Sequence, residues 1–131
     1  MQLYILDVVD ADVSRSVDLA LIAVIAVTIL AEAIVMRLMK YNIFGKALLH
    51  SLILNLASVA VGYLLVETVP ALFSKYDIPH LTLLMLITIA VELPLLYLLN
   101  RNKPLKETIL AASQVNLVSY LLFYGYIRLT Q

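Results

Sequence analysis

Four long apolar runs, joined by short polar connections, constrain this chain more than any other feature of it. Residues 19–36 are apolar but for Thr28 and Glu32. Residues 47–66 hold His50, Ser51, Asn55 and Ser58 as their notable polar groups. Residues 81–99 contain Glu92, and residues 108–127 contain Gln114 and Asn116. Each run is about the 18–20 residues that a helix needs to cross a ~30 Å hydrocarbon layer. A soluble four-helix bundle would instead carry charges along its outer faces. Here 63% of the 131 residues are hydrophobic and only 14% are charged, against about 25% charged in ordinary soluble domains. The pattern predicts an all-α, polytopic membrane protein with four transmembrane helices, forming one domain over residues 1–131.

The basic residues give the expected orientation. Arg37, Lys40 and Lys46 flank the first connection, and Arg101, Lys103 and Lys106 flank the third. The opposite side has Arg15, Lys75 and Arg128, beside the acids Asp7, Asp10, Asp12, Asp18, Glu67 and Asp77. By the positive-inside rule, the turns at 37–46 and 101–106 face the cytoplasm, and both termini and the loop 67–80 face outward. The first ten residues lack a basic stretch, so the first apolar run is expected to stay in the membrane, the plasma or inner membrane, rather than act as a cleaved signal.

The two halves of the chain match each other. With Glu32 set against Glu92 and one residue inserted in the second basic turn, Thr28 matches Thr88, Asn42 matches Asn102 and Asn55 matches Asn116. Ser58 then matches Ser119, and Tyr63 matches Tyr124. Polar matches in a single register are informative in a chain this apolar. They predict two tandem, duplicated helical hairpins: residues 17–66, the outer loop 67–80, and residues 81–128. A hairpin returns the chain to its starting side, so the copies would be related by a pseudo-two-fold axis along the membrane normal.

That symmetry would bring the polar groups together. Ser51, Asn55, Ser58 and Gly62 fall on one stripe of a helix, and Ala112, Asn116, Ser119 and Phe123 repeat it. Asn55 lies about 13 Å beyond Lys46 along a helix, and Asn116 about 15 Å beyond Lys106. An amide at such depth costs several kcal/mol unless paired, so both should face inward. Glu32 and Glu92 are the stronger signals, because intramembrane carboxyls mark functional sites by default. Their expected partners are Ser51, Ser113, Asn55 and Asn116, and the pair is expected to be neutralised by a proton or a shared cation. The candidate ion-binding core is therefore Glu32, Glu92, Asn55, Asn116, Ser58 and Ser119. Secondary candidates are Ser51, His50, Ser113, Thr28 and Thr88, with His50, next to Ser51, a further expected partner of Glu32. Pro94, two residues past Glu92, withdraws a helix donor and frees the carbonyl of Ala90; the first half has Ile34 there.

Several classes of function are disfavoured. The chain has no cysteine, which removes disulfides and thiolate metal sites. His50 and His80 fall on opposite sides of the membrane in this topology, so no shared metal or haem is expected, and no cofactor. No HExxH, no phosphate loop and no nucleophile–His–Asp arrangement occurs, so no enzymatic activity is expected. The net charge is zero, and nucleic acid is not an expected partner.

The segment AEAIVMRLMKY at 31–41 resembles the first helix of small multidrug resistance transporters. There an Ala-Glu-x-Ile-x-x-x-Leu-Met-Lys-aromatic stretch carries a membrane glutamate that exchanges protons for cationic drugs. The resemblance implies that Glu32 is a coupling carboxyl. It covers about eleven residues, and the remainder departs from that family: there is no tryptophan, no Gly-rich third helix, and a second acid at Glu92. The expected function is a small integral membrane protein whose duplicated Glu…Asn-Leu-x-Ser core binds or passes a proton or small cation, as a transporter does. The alternative is a non-catalytic subunit or assembly factor of a larger membrane complex. The expected partners are the lipid bilayer and either a second copy of the chain, as a homodimer, or a larger membrane protein.

Overall fold

The computed structural model describes the backbone of residues 2–75 and 77–130, and the side chains of residues 19–129 except 21 and 76. It is all-helical. The elements in order are α1 (Gln2–Leu38), α2 (Phe44–Thr68), a 3₁₀ turn (Pro70–Phe73), α3 (Ile78–Leu99) and α4 (Leu105–Thr130). Each apolar run predicted from the sequence lies inside one of these helices. Among the described residues, three helices are long and apolar enough to cross a membrane: Phe44–Thr68, Ile78–Leu99 and, within α4, Leu105–Leu129.

The connections show why the helices stop where they do. Lys40 has φ 56°, the left-handed conformation that usually goes to glycine after a helix. Its N–H reaches the carbonyl of Arg37 at 3.0 Å, and the Tyr41 N–H reaches that of Met36 at 2.9 Å. These are the two bonds of a Schellman motif. The chain then re-enters a helix after Ile43, and Tyr41 and Asn42 are turned into the bundle. The second basic turn is built differently. Asn100 closes α3 with a bond to Tyr97, and its carbonyl accepts from the Lys103 N–H. At the opposite end Asp77 caps α3, its carboxylate accepting from the His80 N–H at 3.0 Å, with Pro79 in the first turn.

The four helices form a square. α1 packs on α2, α2 on α3, α3 on α4, and α4 closes back onto α1. α1 and α3 occupy one diagonal and α2 and α4 the other. The tight core sits toward the basic turns and includes Ala33, Met36, Leu54, Leu96, Ala111, Ala112 and Val115. Outward-facing positions such as Leu30, Leu56, Leu64, Leu86, Leu110 and Leu121 remain exposed and apolar. In a soluble protein such faces would be polar; here they suit a hydrocarbon surround. Pro94 lies inside α3 without ending it, and its side chain faces outward.

Candidate functional site

Glu32 and Glu92 stand one on each helix of the α1/α3 diagonal, and both are buried, 2% and 1% exposed. Ionised carboxylates only accept hydrogen bonds, so the helices of the other diagonal must supply donors. α2 and α4 do so through the predicted polar stripe. The Asn55 amide donates to Glu32 Oε2 at 2.6 Å, and the Asn116 amide donates to Glu92 Oε2 at 2.8 Å. Each Asn therefore serves the glutamate of its own helical pair. The serines cross over. Ser58 on α2 donates to Glu92 Oε1 at 2.5 Å, and Ser119 on α4 donates to Glu32 Oε1. The result is a closed ring in which each carboxyl takes an amide from one neighbouring helix and a hydroxyl from the other.

The amides are fixed in place. The second N–H of Asn55 reaches the carbonyl of Ser51 at 2.9 Å, and that of Asn116 reaches Ala112 at 3.0 Å. With both protons of each amide committed, the side chain has one orientation. Glu32 has a third partner, Ser51, whose hydroxyl donates to Oε2 at 2.6 Å and lies 3.0 Å from the Ile29 carbonyl. The matching position in the second half is Ala112, so Glu92 has two side-chain partners where Glu32 has three.

The ring floors a cavity of about 320 Å³. That is room for several waters, each of which takes about 30 Å³ in the liquid. The cavity runs from the two carboxyls to Phe73 of the 3₁₀ turn, between walls that include Val24, Ile25, Leu84, Ile87 and Phe123. No Lys, Arg or His is among the described residues lining it. Two acids in a cavity without a basic side chain present a site that is complementary to a cation or to a proton.

All six primary candidates from the sequence meet at this place, and Ser51 joins them. Thr28 and Thr88 line the cavity. Thr88 bonds the Leu84 carbonyl at 3.0 Å and the Tyr120 hydroxyl at 2.8 Å. Tyr120 was not anticipated; its neighbour Ser119 on the predicted stripe was the available signal. Two expectations are corrected. Ser113 is not one of the carboxyls' partners, because its place on α4 is off the stripe that faces the ring. His50 does not pair with Glu32. Its Nδ1 lies 3.2 Å from the Asn42 amide nitrogen and 3.1 Å from that of Asn100, a full turn nearer the basic connections. From the end of α3 this cluster takes Asn100, while Asn102 is exposed in the second basic turn. Among the described residues there is no group of His, Asp and Glu able to hold a metal ion.

No protein-family model, curated protein or solved structure matches the chain. The eleven-residue likeness around Glu32 is thus not accompanied by a likeness of the whole.

Proposed function

We propose that this is a small integral membrane protein of four transmembrane helices, built as two tandem copies of one hairpin, whose polar core binds or passes a proton or small cation. One observation carries the reading. Both buried carboxyls are held by a reciprocal set of Asn and Ser donors at the floor of a cavity that has no basic side chain to neutralise them. A purely structural strut would be cheaper as an apolar contact, since buried acids cost several kcal/mol unless paired or neutralised.

Three further features support the arrangement. The crossed serines are what two hairpins related by a two-fold axis produce, because each hairpin lends its hydroxyl to the other. The helical run of α1 beyond residue 19 packs between α2 and α4, as a fourth crossing would. The basic turns, Arg37–Lys46 and Arg101–Lys106 in sequence, then lie on the cytoplasmic side, with both termini outside. Glu32 and Glu92 are the exchangeable sites in this reading, and Asn55, Asn116, Ser58 and Ser119 orient them.

The test is flux in proteoliposomes. Protein carrying Glu92→Gln should lose proton and sodium flux that the wild type supports. If flux is unchanged, and the native protein purifies in mild detergent with a stoichiometric membrane partner, the chain is an accessory subunit instead.

A further inference from the structure

A second polar cluster lies at the basic-turn end, and the carboxyl ring does not use it. Three layers separate the cavity from that end. The first is the ring. The second is an apolar plug with one fully buried residue from each helix: Met36, Leu54, Leu96 and Val115. Met36 and Leu96 each follow their glutamate by one turn, and Leu54 and Val115 each precede their asparagine by one residue. The third layer is polar and joins the two hairpins to each other. The Asn100 amide, at the end of α3, donates to Nδ1 of His50 on α2. The Tyr41 hydroxyl, in the first basic turn, meets Thr108 Oγ1 on α4 at 2.8 Å. Both bonds cross between hairpins, and His50, Asn100, Tyr41 and Thr108 are all buried.

This layer is held less completely than the ring. Nδ1 of His50 is approached by two amide nitrogens, from Asn42 and Asn100, yet a neutral imidazole nitrogen has one lone pair to offer. Oδ1 of Asn100, 1% exposed as a residue, has no hydrogen-bond partner among the described residues. Buried polar atoms are normally paired. A cluster with one acceptor shared and another unused is one whose bonds can be exchanged at little cost.

We infer that the plug and the two cross-hairpin bonds are a closed gate, with His50–Asn100 and Tyr41–Thr108 as its latches. The ring is the fulcrum. The cavity reaches the Phe73 end in this conformation, and parting the latches swings the hairpins so that the plug separates and the carboxyls face the basic turns instead. The apolar walls Val24, Ile25, Leu84 and Ile87 then close on one another. This rests on the reading of the ring as an ion site, since a protein that only held helices in register would need no second access. Interfaces of this kind are bistable and move as rigid bodies.

The absence of native cysteine makes the test direct. A single cysteine at the fully buried position of Ala112, between plug and latch, is labelled in proteoliposomes by a membrane-impermeant maleimide. Asn102→Cys, in the exposed second basic turn, counts the copies whose basic side faces the reagent. Against the wild-type background, Tyr41→Phe and Asn100→Ala should each raise labelling of Ala112→Cys from the basic side about fivefold, and together roughly twentyfold. His50→Gln, which keeps a polar group in the layer, guards against a folding defect in Asn100→Ala and should act in the same direction. Labelling that stays at the wild-type rate in all these folded variants overturns the gate. If Glu92→Gln abolishes flux while labelling never responds, the ion site stands and the gate fails. If the latches respond while no ion is carried, the gate stands and the ion site fails.

Discussion

The Ser119 hydroxyl on α4 donates to Glu32 on α1, across the boundary between the two halves of the chain. Three residues earlier on the same helix, Asn116 donates to Glu92 on α3. One helix therefore serves both acids, and α2 does the same through Asn55 and Ser58. Removing one hydroxyl leaves one carboxyl oxygen without its partner while the other acid keeps its own. Ser119→Ala and Ser58→Ala should each destabilise the protein by about 1–2 kcal/mol. Thermal unfolding in detergent checks this. A double-mutant cycle with Glu32→Gln should show coupling for Ser119 and little for Ser58.

Glu32→Gln and Glu92→Gln preserve volume; the remaining oxygen still accepts from the Asn amide, and the new NH2 can donate to the serine hydroxyl on the other side. Both variants are expected to fold, with helical circular dichroism like that of the wild type. Flux should fall about tenfold or more in either one, because the exchangeable charge is gone. A variant with normal flux would remove that glutamate from the path.

The plug is expected to be the most sensitive part of the core. Leu54→Ala and Met36→Ala empty fully buried positions and should each cost about 2–5 kcal/mol. Leu56→Ala, two residues along α2 on the opposite, exposed face, should cost far less by the same unfolding measurement.

Lys40 occupies a left-handed position that glycine takes with less strain. Lys40→Gly should stabilise the first turn by up to about 1 kcal/mol. The effect is read as a higher melting temperature. A lower one would mean that the Lys40 side chain contributes a contact that outweighs the backbone strain.

At the other end of the molecule, Asp77 is held below the ordinary carboxylate range by the His80 backbone N–H and then by the His80 ring. Its folded-state pKa is depressed, so its contribution is present above the unfolded value of 3.8 and is lost as pH falls through the lower folded-state value. Acidification in that window should fray the start of α3. Asp77→Ala should abolish the pH step in hydrogen exchange at the amides of His80 and Leu81. Asp77→Asn, which still caps, should remove the step while keeping the protection.

Much of this was legible beforehand, and the reasons are local. The apolar runs located the helices, because in a membrane a long run without charges has few other ways to satisfy its backbone. The stripe Asn55–Ser58–Gly62 and its echo Asn116–Ser119–Phe123 were readable from helical spacing alone, and all six residues line the cavity. Other features were not readable. His50 lies one residue before Ser51, and that step of about a third of a turn sends it to a different layer with Asn42 and Asn100 instead of Glu32. Ser113 was an expected carboxyl partner by its depth alone, and it stands one residue off the stripe that runs through Ala112 and Asn116. Tyr120 lies one turn past Asn116 and beside Ser119, but an aromatic residue in an apolar run does not by itself point to a polar partner such as Thr88.

The order of residues alone determined which segments are helical, which faces of α2 and α4 are polar, and that two acids sit deep within apolar runs. These follow from backbone hydrogen bonding and a period of 3.6 residues, which act within one segment. Only the tertiary structure decided which serine answers which glutamate, and that a cavity lies on one side of the ring and a sealed plug on the other. Those depend on the square order of the helices and the rotation of each about its axis, quantities set by contacts between segments far apart in the chain.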